Sequence, residues 1–261
     1  MTERHKERLK TALVTGGGKR LGAAIVRELA AAGLAVAVHA NRSRAPADAL
    51  VEELRAEGHV AVRVDGDLRD ADCPALLFDE AEAALGPIEM LVNNAAIFRF
   101  DRLATLTLEN LDAHLDVDLV APLILCRELA TRLPPDRPGL IVNMLDQRVV
   151  APTGRYLSYD VAKAGLWAAT QILARDLAPG IRVNAVGPGL VLGPDEMADD
   201  QFARLVAETP LARTTSVEEI ARGVRFILDQ PSMTGHLLLL DGGRHMGVTS
   251  AVRPPRGVDQ P

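Results

Sequence analysis

The chain is predicted to fold as an α/β protein built on a single doubly wound parallel sheet of about seven strands, with helices on both faces. Short β-rich runs alternate with longer helical patterns from end to end of the 261 residues. Hydrophobic residues make up 48% of the chain and aromatic residues only 3%. Small aliphatic side chains must therefore pack the core, as is typical of parallel strands covered by helices.

The predicted elements follow one another in a regular order. The strands are expected at Thr11–Thr15, Ala35–His39, Val60–Val64, Ile88–Val92, Leu140–Met144, Arg182–Ala185 and His236–Leu240. The helices are expected at Arg20–Ala32, Pro46–Glu57, Asp72–Leu85, Leu108–Arg132, Tyr156–Leu177 and Val217–Leu228. No repeat or linker divides them, so residues 1–261 are predicted to form one domain.

Three segments have no place in this alternation. Residues 1–9 and 248–261 have no periodicity and are predicted to be flexible tails. Residues 190–210 follow a strand and carry a short acidic helix. Because open α/β sheets bind ligands beyond the carboxyl ends of their strands, we predict that 190–210 form a substrate lid.

Composition argues against several classes of function. The net charge of −6 disfavours nucleic acid as a partner, since phosphate backbones require a basic face. No apolar run is long enough to span a membrane, and the charged start of the chain has no apolar signal segment. Cys73 and Cys126 form no motif, and the six histidines have no metal-ligand spacing. A cytoplasmic protein with reduced thiols and no metal is expected.

A glycine-rich turn directly follows the first predicted strand. Gly16, Gly17 and Gly18 come after Thr11–Thr15, and the first helix is predicted to begin at Arg20. Glycine permits positive φ and lets backbone N–H groups approach a pyrophosphate at a helix N-terminus. With a strand before it and a helix after it, the turn is predicted to bind a dinucleotide.

The segment after the second predicted strand indicates which dinucleotide is bound. Folds that bind NAD place an acid about 20 residues beyond the turn, where it grips the ribose hydroxyls. From His39 to Arg44 there is no acid, and Asn41, Arg42 and Ser43 offer donors instead. Guanidinium and hydroxyl groups bind a 2′-phosphate through charge-assisted hydrogen bonds. We therefore predict NADPH as the cofactor, with Arg42 and Arg44 near its phosphate.

Tyr159 and Lys163 lie four residues apart, which places them one turn apart on the same predicted helix. The pKa of a free tyrosine is near ~10, too high for efficient proton exchange at neutral pH. A neighbouring cation stabilises the phenolate, so Lys163 is expected to lower the pKa of Tyr159. The pair is predicted to deliver a proton to a group that receives a hydride.

These motifs resemble the short-chain dehydrogenase/reductase family over nearly the whole chain. The other matching motifs are Asn93-Asn94-Ala95, Gly187-Pro188-Gly189 and Asp241-Gly242-Gly243. The resemblance implies a Rossmann-type sheet and a homotetramer. Together with the segment after the second strand, it predicts that the cofactor is bound by Gly16, Lys19, Arg20, Leu21, Asn41, Arg42, Ser43, Asp67, Leu68, Asn94, Ala95, Tyr159, Lys163, Pro188 and Gly189.

Two departures from the family pattern resemble one subgroup, the pteridine reductases. Asp146 stands thirteen residues before Tyr159, where the family usually has serine, and Arg20 replaces the middle glycine of the turn. In that subgroup an aromatic residue, here Phe98, stacks on the pterin, and the arginine reaches both cofactor phosphate and pterin. The resemblance implies that Arg20, Phe98, Asp146 and Tyr159 bind a small pterin-like substrate.

The aspartate also separates substrate classes on chemical grounds. A ketone develops negative charge on oxygen as it is reduced, and a nearby carboxylate would oppose that charge. A pterin presents N–H donors and a ring C=N bond that needs a proton, which Asp146 could relay through Tyr159. The predicted catalytic residues are thus Asp146, Tyr159 and Lys163. The alternative, that Asp146 only caps local backbone at a strand end, stays open.

Further departures keep other functions open. Ala96 stands where the subgroup usually has serine, and Asp118 where the family usually has an asparagine that supports a water relay to the lysine. An acid at position 118 would pair with Lys163 and blunt its effect on Tyr159. Phe100 competes with Phe98 as the stacking residue. The alternatives are an NADPH-dependent carbonyl or 3-oxoacyl thioester reductase and, in another class, a feebly active dinucleotide-binding scaffold or sensor.

Overall fold

One seven-stranded sheet, with every strand parallel, organises the protein. The computed structural model describes residues 9–191 and 199–247. The strands are β1 Thr11–Val14, β2 Ala35–Ala40, β3 Ala61–Asp65, β4 Met90–Asn93, β5 Gly139–Met144, β6 Ile181–Pro188 and β7 Leu237–Leu240. Their spatial order is β3-β2-β1-β4-β5-β6-β7. The predicted fold class is confirmed.

Helices cover both faces of this sheet. They are α1 Arg20–Ala31, α2 Arg44–Ala56, α3 Cys73–Leu85, α4 Leu108–Leu115, α5 Ala121–Arg132, α6 Leu157–Asp176, α7 Asp199–Ala207 and α8 Val217–Leu228. One buried cluster packs α1, α2 and α8 against the strands, and a second packs α3, α5 and α6 against the opposite face. Aliphatic side chains dominate both clusters, as the low aromatic content predicts.

The predicted helix Leu108–Arg132 is wrong in one respect, because a π-helical turn at Asp116–Val120 separates α4 from α5. Ala121 N–H donates to the carbonyl of Asp116, five residues back. Pro122 has no N–H to donate to the carbonyl of Asp118, so a regular α-helical ladder cannot run through this point. The wider turn accommodates the proline and places Asp118 in the interior.

The strand order creates a crevice at the edge of the sheet formed by the carboxyl ends of the strands. The chain runs outward from β1 to β2 and β3 and then returns to β4 on the other side of β1. At such a switch point the loops that follow the two strands diverge and leave room for a ligand. The glycine turn after β1 and the Asn94-Ala95 segment after β4 both lie at this edge.

Some sequence predictions fall outside the described residues. The tails predicted at 1–9 and 248–261 lie almost entirely there, and so does part of the predicted lid, residues 192–198. Helix α7 occupies the later part of the lid segment. Among the helices of the described ranges, none has the length and apolar composition that a bilayer crossing requires.

Gly22, in the first turns of α1, is predicted to tolerate no side chain. A Cβ added there would lie 2.1 Å from the Gly16 carbonyl oxygen, whereas one added at Gly180 would meet only the Leu177 carbonyl oxygen at 3.7 Å. Gly22→Ala should lower the free energy of unfolding by about 1–3 kcal/mol, although alanine favours helices. Gly180→Ala should change it by less than about 0.5 kcal/mol. Urea denaturation of both variants checks this, and equal midpoints would contradict it.

Candidate active site

A cavity of about 700 Å³ opens at the edge of the sheet beyond β1 and β4. Most of the residues predicted to bind the cofactor line it: Gly16, Lys19, Arg20, Leu21, Asn41, Arg42, Ser43, Asp67, Leu68, Asn94, Ala95 and Tyr159. Of the predicted substrate residues, Arg20, Phe98 and Tyr159 line the same cavity, whereas Asp146 does not. Sequence positions that are far apart are thus brought to one place, which is what a single cofactor and substrate site requires.

Thr15, directly after β1, holds the glycine turn against the loop that follows β4. Its hydroxyl oxygen accepts hydrogen bonds from the backbone N–H groups of Asn94 and Ala95, each at 2.9 Å. The Asn94 amide donates to the Thr15 carbonyl oxygen at 2.9 Å. Gly16 has a φ of +61°, and a Cβ there would lie 3.0 Å from the Cα of Ala95. Only glycine fits this approach of the turn to the loop after β4.

His39 holds the glycine turn from the side of β2, a role that sequence reasoning missed. Its Nδ1 accepts from the Gly16 N–H at 3.1 Å, and its Nε2 lies 3.1 Å from the Gly66 carbonyl oxygen. These partners require a proton on Nε2 and a lone pair on Nδ1. Burial lowers the pKa of His39, so the neutral ring that this geometry needs is favoured. Its position at the end of a strand carried no signal of this role.

Two helix N-termini face the cavity, and neither is capped by the side chain of the residue that precedes the helix. Lys19 precedes α1 and Ser43 precedes α2, and neither side chain makes a capping hydrogen bond. Neither helix has an acid in its first turn. With Arg42 on the cavity wall, the site fits a ligand that carries phosphate groups at two points. Arg44 does not line this cavity; its Nε lies 3.7 Å from Asp65 Oδ2.

Asp67 supplies a hydrogen-bond acceptor on the cavity wall. Arg69 pairs with it at 2.6 Å. The hydrogen bond from Arg69 holds the pKa of Asp67 at about 2, so the carboxylate is ionised at neutral pH. An ionised carboxylate can accept from an amino group of a bound ligand, as the family resemblance implies for the adenine.

Tyr159 and Asp146 form the centre of the candidate chemistry. The hydroxyl group of Tyr159 lies 3.4 Å from Asp146 Oδ2, and Asp146 Oδ1 accepts from the Arg148 N–H at 2.9 Å. Burial raises the pKa of Asp146 above its ordinary value. Burial, followed by the charges of Asp146 and Asp118, raises the pKa of Tyr159 well above its ordinary value. Asp146 thus both caps local backbone and faces the tyrosine.

Lys163, one turn further along α6 than Tyr159, is a buried and paired cation. Its Nζ donates to the Met144 carbonyl oxygen at 3.0 Å and lies 3.2 Å from Asp118 Oδ1. The Lys163 side chain is 2% exposed and that of Asp118 is 0% exposed. The pKa of Tyr159 is nevertheless raised, first by burial and then by the charges of Asp146 and Asp118, so the presence of Lys163 does not lower it overall.

Phe98 is the aromatic residue of the cavity wall. It is 44% exposed, stacks on Tyr156 with ring centroids 4.1 Å apart, and meets Tyr159 edge to face at 4.8 Å. Phe100 instead packs edge to face on Tyr156 at 5.2 Å and does not line the cavity. Between the two candidates, the geometry favours Phe98. Tyr156 was missed, although it is one of only two tyrosines and lies three residues before Tyr159.

Asp101 binds the start of α6 and so helps to determine the position of Tyr159. Its carboxylate accepts from the Ser158 N–H at 3.2 Å and from the Asn110 amide at 3.1 Å, while its carbonyl accepts from the Tyr156 N–H at 2.9 Å. Burial acts to raise the pKa of Asp101, but the hydrogen bonds outweigh it and the pKa is lowered. Sequence reasoning missed this residue because the contact joins segments that are distant in the chain.

Three predicted cofactor residues, Lys163, Pro188 and Gly189, do not line the cavity. Pro188 ends β6 and Gly189 follows it, and neither is on the cavity wall. Gly189 N–H donates to the Leu240 carbonyl oxygen at 3.0 Å, and a Cβ on Gly189 would lie 2.6 Å from the Cα of Asp241. Over the described part of the chain, no group of three or more histidine, cysteine or acidic residues is arranged to hold a metal ion.

Comparison with known proteins decides the family. A family model described as enoyl-(acyl carrier protein) reductase matches residues 18–245. The chain belongs to the short-chain dehydrogenase/reductase family. It is 32% identical over 244 residues to a 3-oxoacyl-[acyl-carrier-protein] reductase, FabG, of Staphylococcus aureus, covering 91% of this chain and 98% of the relative. The corresponding reductase of Synechocystis is 32% identical over 246 residues, covering 91% and 97%.

Solved structures resemble this short-chain reductase still more closely. FolM alternative dihydrofolate reductase 1 from Brucella suis, in complex with NADP, is 39% identical with a TM-score of 0.88, covering 91% of this chain and 96% of that one. A blue fluorescent protein from a metagenomic library, in complex with NADPH, is 34% identical with a TM-score of 0.84, covering 90% and 98%. The predicted family and the predicted nicotinamide cofactor are confirmed.

Arg20 occupies a position where the usual family pattern has glycine, and its backbone keeps the glycine conformation, with a φ of +51°. A residue with a Cβ is strained there by about 1–2 kcal/mol. Arg20→Gly should therefore be more stable than Arg20→Ala by about 1 kcal/mol, since both lose the guanidinium and only glycine relieves the strain. Chemical denaturation of the two variants measures this difference. Equal stabilities would contradict the strain.

Proposed function

We propose that this short-chain reductase is an NADPH-dependent pteridine reductase that acts on a dihydropteridine or related pterin. The observation that carries the proposal is the Asp146 carboxyl group 3.4 Å from the hydroxyl of Tyr159, a residue that lines the cavity together with Phe98. A carboxyl group in this place suits a substrate with ring N–H donors and a ring nitrogen to be protonated. The relatives named alternative dihydrofolate reductase support this substrate class.

The residues of the cavity fit NADPH. Gly16, Lys19, Arg20 and Leu21 would hold the pyrophosphate at the start of α1, and Arg42 with Ser43 would hold the 2′-phosphate at the start of α2. The absence of an acid between positions 39 and 44 disfavours NAD. When bound, NADPH supplies the hydride. Asn94, Ala95, Lys163, Pro188 and Gly189 would lie along the rest of the cofactor.

Substrate binding would use one flat surface and two charged groups. Phe98 offers an aromatic face for the pterin ring, and its backing by Tyr156 keeps that face in place. Asp146 would accept ring N–H donors, and the exposed guanidinium of Arg20 would reach the ring from the side of the phosphates. Asp67 and Leu68 lie on the cavity wall and would bind the adenine.

Asp146 is the better proton donor of the pair. Its raised pKa lets the carboxyl group keep a proton nearer to neutral pH, whereas the pKa of Tyr159 lies well above 10. Asp146 would therefore give its proton to the ring nitrogen, and Tyr159 would orient the carboxyl group through their hydrogen bond. Because the carboxyl group must be protonated to act, kcat is expected to fall as pH rises through the pKa of Asp146.

The relatives named 3-oxoacyl reductase support a second candidate, reduction of a 3-oxoacyl thioester. That reaction builds negative charge on the carbonyl oxygen, which Asp146 would oppose. The third candidate, a dinucleotide-binding scaffold with feeble activity, draws its support from the compensated charge of Lys163. Tight NADPH binding without turnover of any substrate would favour it.

We also propose a cytoplasmic homotetramer that buries the outer faces of α4, α5 and α6. Leu108, Val161 and Ile172 are large apolar residues exposed on α4 and α6. Exposed apolar side chains grouped on neighbouring helices are typical of surfaces covered in an assembly. Sedimentation at micromolar concentration checks the stoichiometry, and a monomer would contradict it.

The substrate is tested by NADPH oxidation with dihydrobiopterin, dihydromonapterin, dihydrofolate and acetoacetyl-CoA. A dihydropterin should be turned over, and Asp146→Ser should lower its kcat by at least about 100-fold because the acid is lost. Asp146→Asn, which keeps the size of the side chain, should be equally impaired. Turnover of acetoacetyl-CoA alone, kept or raised in Asp146→Ser, would instead make the protein a carbonyl reductase.

A further inference from the structure

Positive charge dominates the wall of the cavity. Among the described residues of this wall, one is an acid, Asp67, and five are cations: Lys19, Arg20, Arg42, Arg69 and Arg99. Arg69 is paired with Asp67 at 2.6 Å. The other four cations make no ion pair within the described residues. Unpaired cations grouped at one cavity, in a chain whose net charge is −6, indicate a ligand with several anionic groups.

The phosphates of NADPH account for three of these four cations. Lys19 and Arg20 lie at the start of α1, where the pyrophosphate is proposed to bind, and Arg42 lies at the start of α2 with the proposed 2′-phosphate site. Arg99 instead lies in the loop after β4. The rest of the cofactor, which is proposed to run along the start of this loop, carries no phosphate group. The charge of Arg99 is therefore left for another anionic group in the cavity.

Arg99 directly follows Phe98, the aromatic residue of the cavity wall, and lines the same cavity. Consecutive Cα atoms are about 3.8 Å apart, so the arginine side chain starts within reach of a molecule whose ring stacks on Phe98. Arg99 is exposed, and its guanidinium donates no hydrogen bond to any residue that the structure describes. An unpaired guanidinium beside an aromatic face suits an anionic group attached to an aromatic ring.

Hydrogen bonds hold the backbone of this loop in place at Arg99 and two residues later. The Arg99 N–H donates to Nε2 of His114 at 3.3 Å. His114 is 0% exposed, and its Nδ1 lies 2.8 Å from the Asn110 carbonyl oxygen, so Nδ1 carries the proton and Nε2 is free to accept. The Asp101 carbonyl oxygen accepts from the Tyr156 N–H at 2.9 Å. An anchored backbone restricts the positions that the Arg99 side chain can reach, which lowers the entropic cost of binding an anion.

An apolar surface lies on the side of the cavity to which Arg99 is anchored. Ala113 of α4 and Val117 of the π-helical turn both line the cavity. Because they are four residues apart in a continuous helical segment, they share one face of it. The bond to His114 ties Arg99 to the same segment. This surface suits an uncharged aryl or alkyl group that joins a ring at Phe98 to an anionic end.

We propose that Arg99 is a specificity-determining residue that binds an anionic group on the side chain of the pterin substrate. The inference rests on the proposed function in that the pterin ring is held at Phe98. It narrows the substrate class to pterins whose side chain carries a carboxylate or a phosphate beyond an uncharged spacer. Pterins with hydroxylated, uncharged side chains would leave the guanidinium without an ionic partner.

Steady-state kinetics with pterins of different charge tests this assignment. The anionic substrates are dihydrofolate, which carries carboxylates, and dihydroneopterin monophosphate, which carries a phosphate. The neutral substrates are dihydrobiopterin and dihydromonapterin. The variants are Arg99→Gln, Arg99→Lys and Arg99→Glu. Arg102→Gln, at an exposed arginine of the same loop that does not line the cavity, is the matched control. Circular dichroism verifies that each variant is folded.

Arg99→Gln should raise KM for at least one anionic substrate about fivefold, because a charge-assisted hydrogen bond is lost at a solvent-accessible site. KM for the neutral pterins, KM for NADPH and kcat should each change by less than about twofold, since the lost group contacts neither the ring nor the cofactor. Arg99→Glu should raise KM for the anionic substrate further, and Arg99→Lys should retain part of the affinity. Raising the salt concentration from about 0.05 to about 0.5 M should bring the wild-type KM towards that of Arg99→Gln. The substrate that responds identifies the anion as carboxylate or phosphate.

Three outcomes would overturn the proposal while pterin turnover, and with it the proposed function, persists. They are an unchanged KM for both anionic substrates in Arg99→Gln, an equal change for anionic and neutral pterins, and an equal effect of Arg102→Gln. If the wild-type protein reduces no pterin, the proposed function fails instead. Titration calorimetry with folate and biopterin in the presence of NADP+ then decides the role of Arg99. Folate binding that weakens in Arg99→Gln supports it, whereas equal binding by both proteins, or none, overturns it.

Discussion

The burial of charged side chains is the constraint on which this site depends. Asp118 and Lys163 are almost completely withdrawn from water as an ion pair, and Asp146 lies against the buried Tyr159. A buried charge is tolerated only when it is paired or when its pKa moves towards the neutral form. Because Lys163 is paired with Asp118, its positive charge is less available to lower the pKa of Tyr159. Burial raises the pKa of Asp146, so in the proposed reaction its carboxyl group would be the proton donor.

The fold supplies the geometry that this chemistry needs. Strands β1 and β4 deliver the glycine turn and the Asn94 loop to one edge of the sheet, where Thr15 fastens them together. Asp101 caps the start of α6 and sets the position of Tyr159, while the π-helical turn directs Asp118 towards Lys163. Tyr159 and Asp118 are thus carried by helical elements, whereas Asp146 lies in the loop that follows β5.

Much of this could be predicted from the sequence, because it depends on local patterns. Alternating strand and helix periodicities located all seven strands, and glycine chemistry located the turn before α1. The π-helical turn was missed because helical residues continue through it and only Pro122 interrupts the hydrogen-bond ladder. The contacts of His39 and Tyr156 join segments that are distant in the chain, which periodicity does not encode. The pairing of Lys163 with Asp118 and its opposing effect on Tyr159 were anticipated, but not the burial that raises the pKa of Tyr159 most.

The most direct test of the central claim is a crystal structure of the protein with NADP+ and a reduced pterin bound. The account predicts that the pterin ring lies against Phe98 and that the Asp146 carboxyl group lies within about 3.2 Å of a ring nitrogen. It also predicts that Lys163 stays paired with Asp118. A pterin bound outside this cavity, or an Asp146 side chain turned away from the ring, would contradict it.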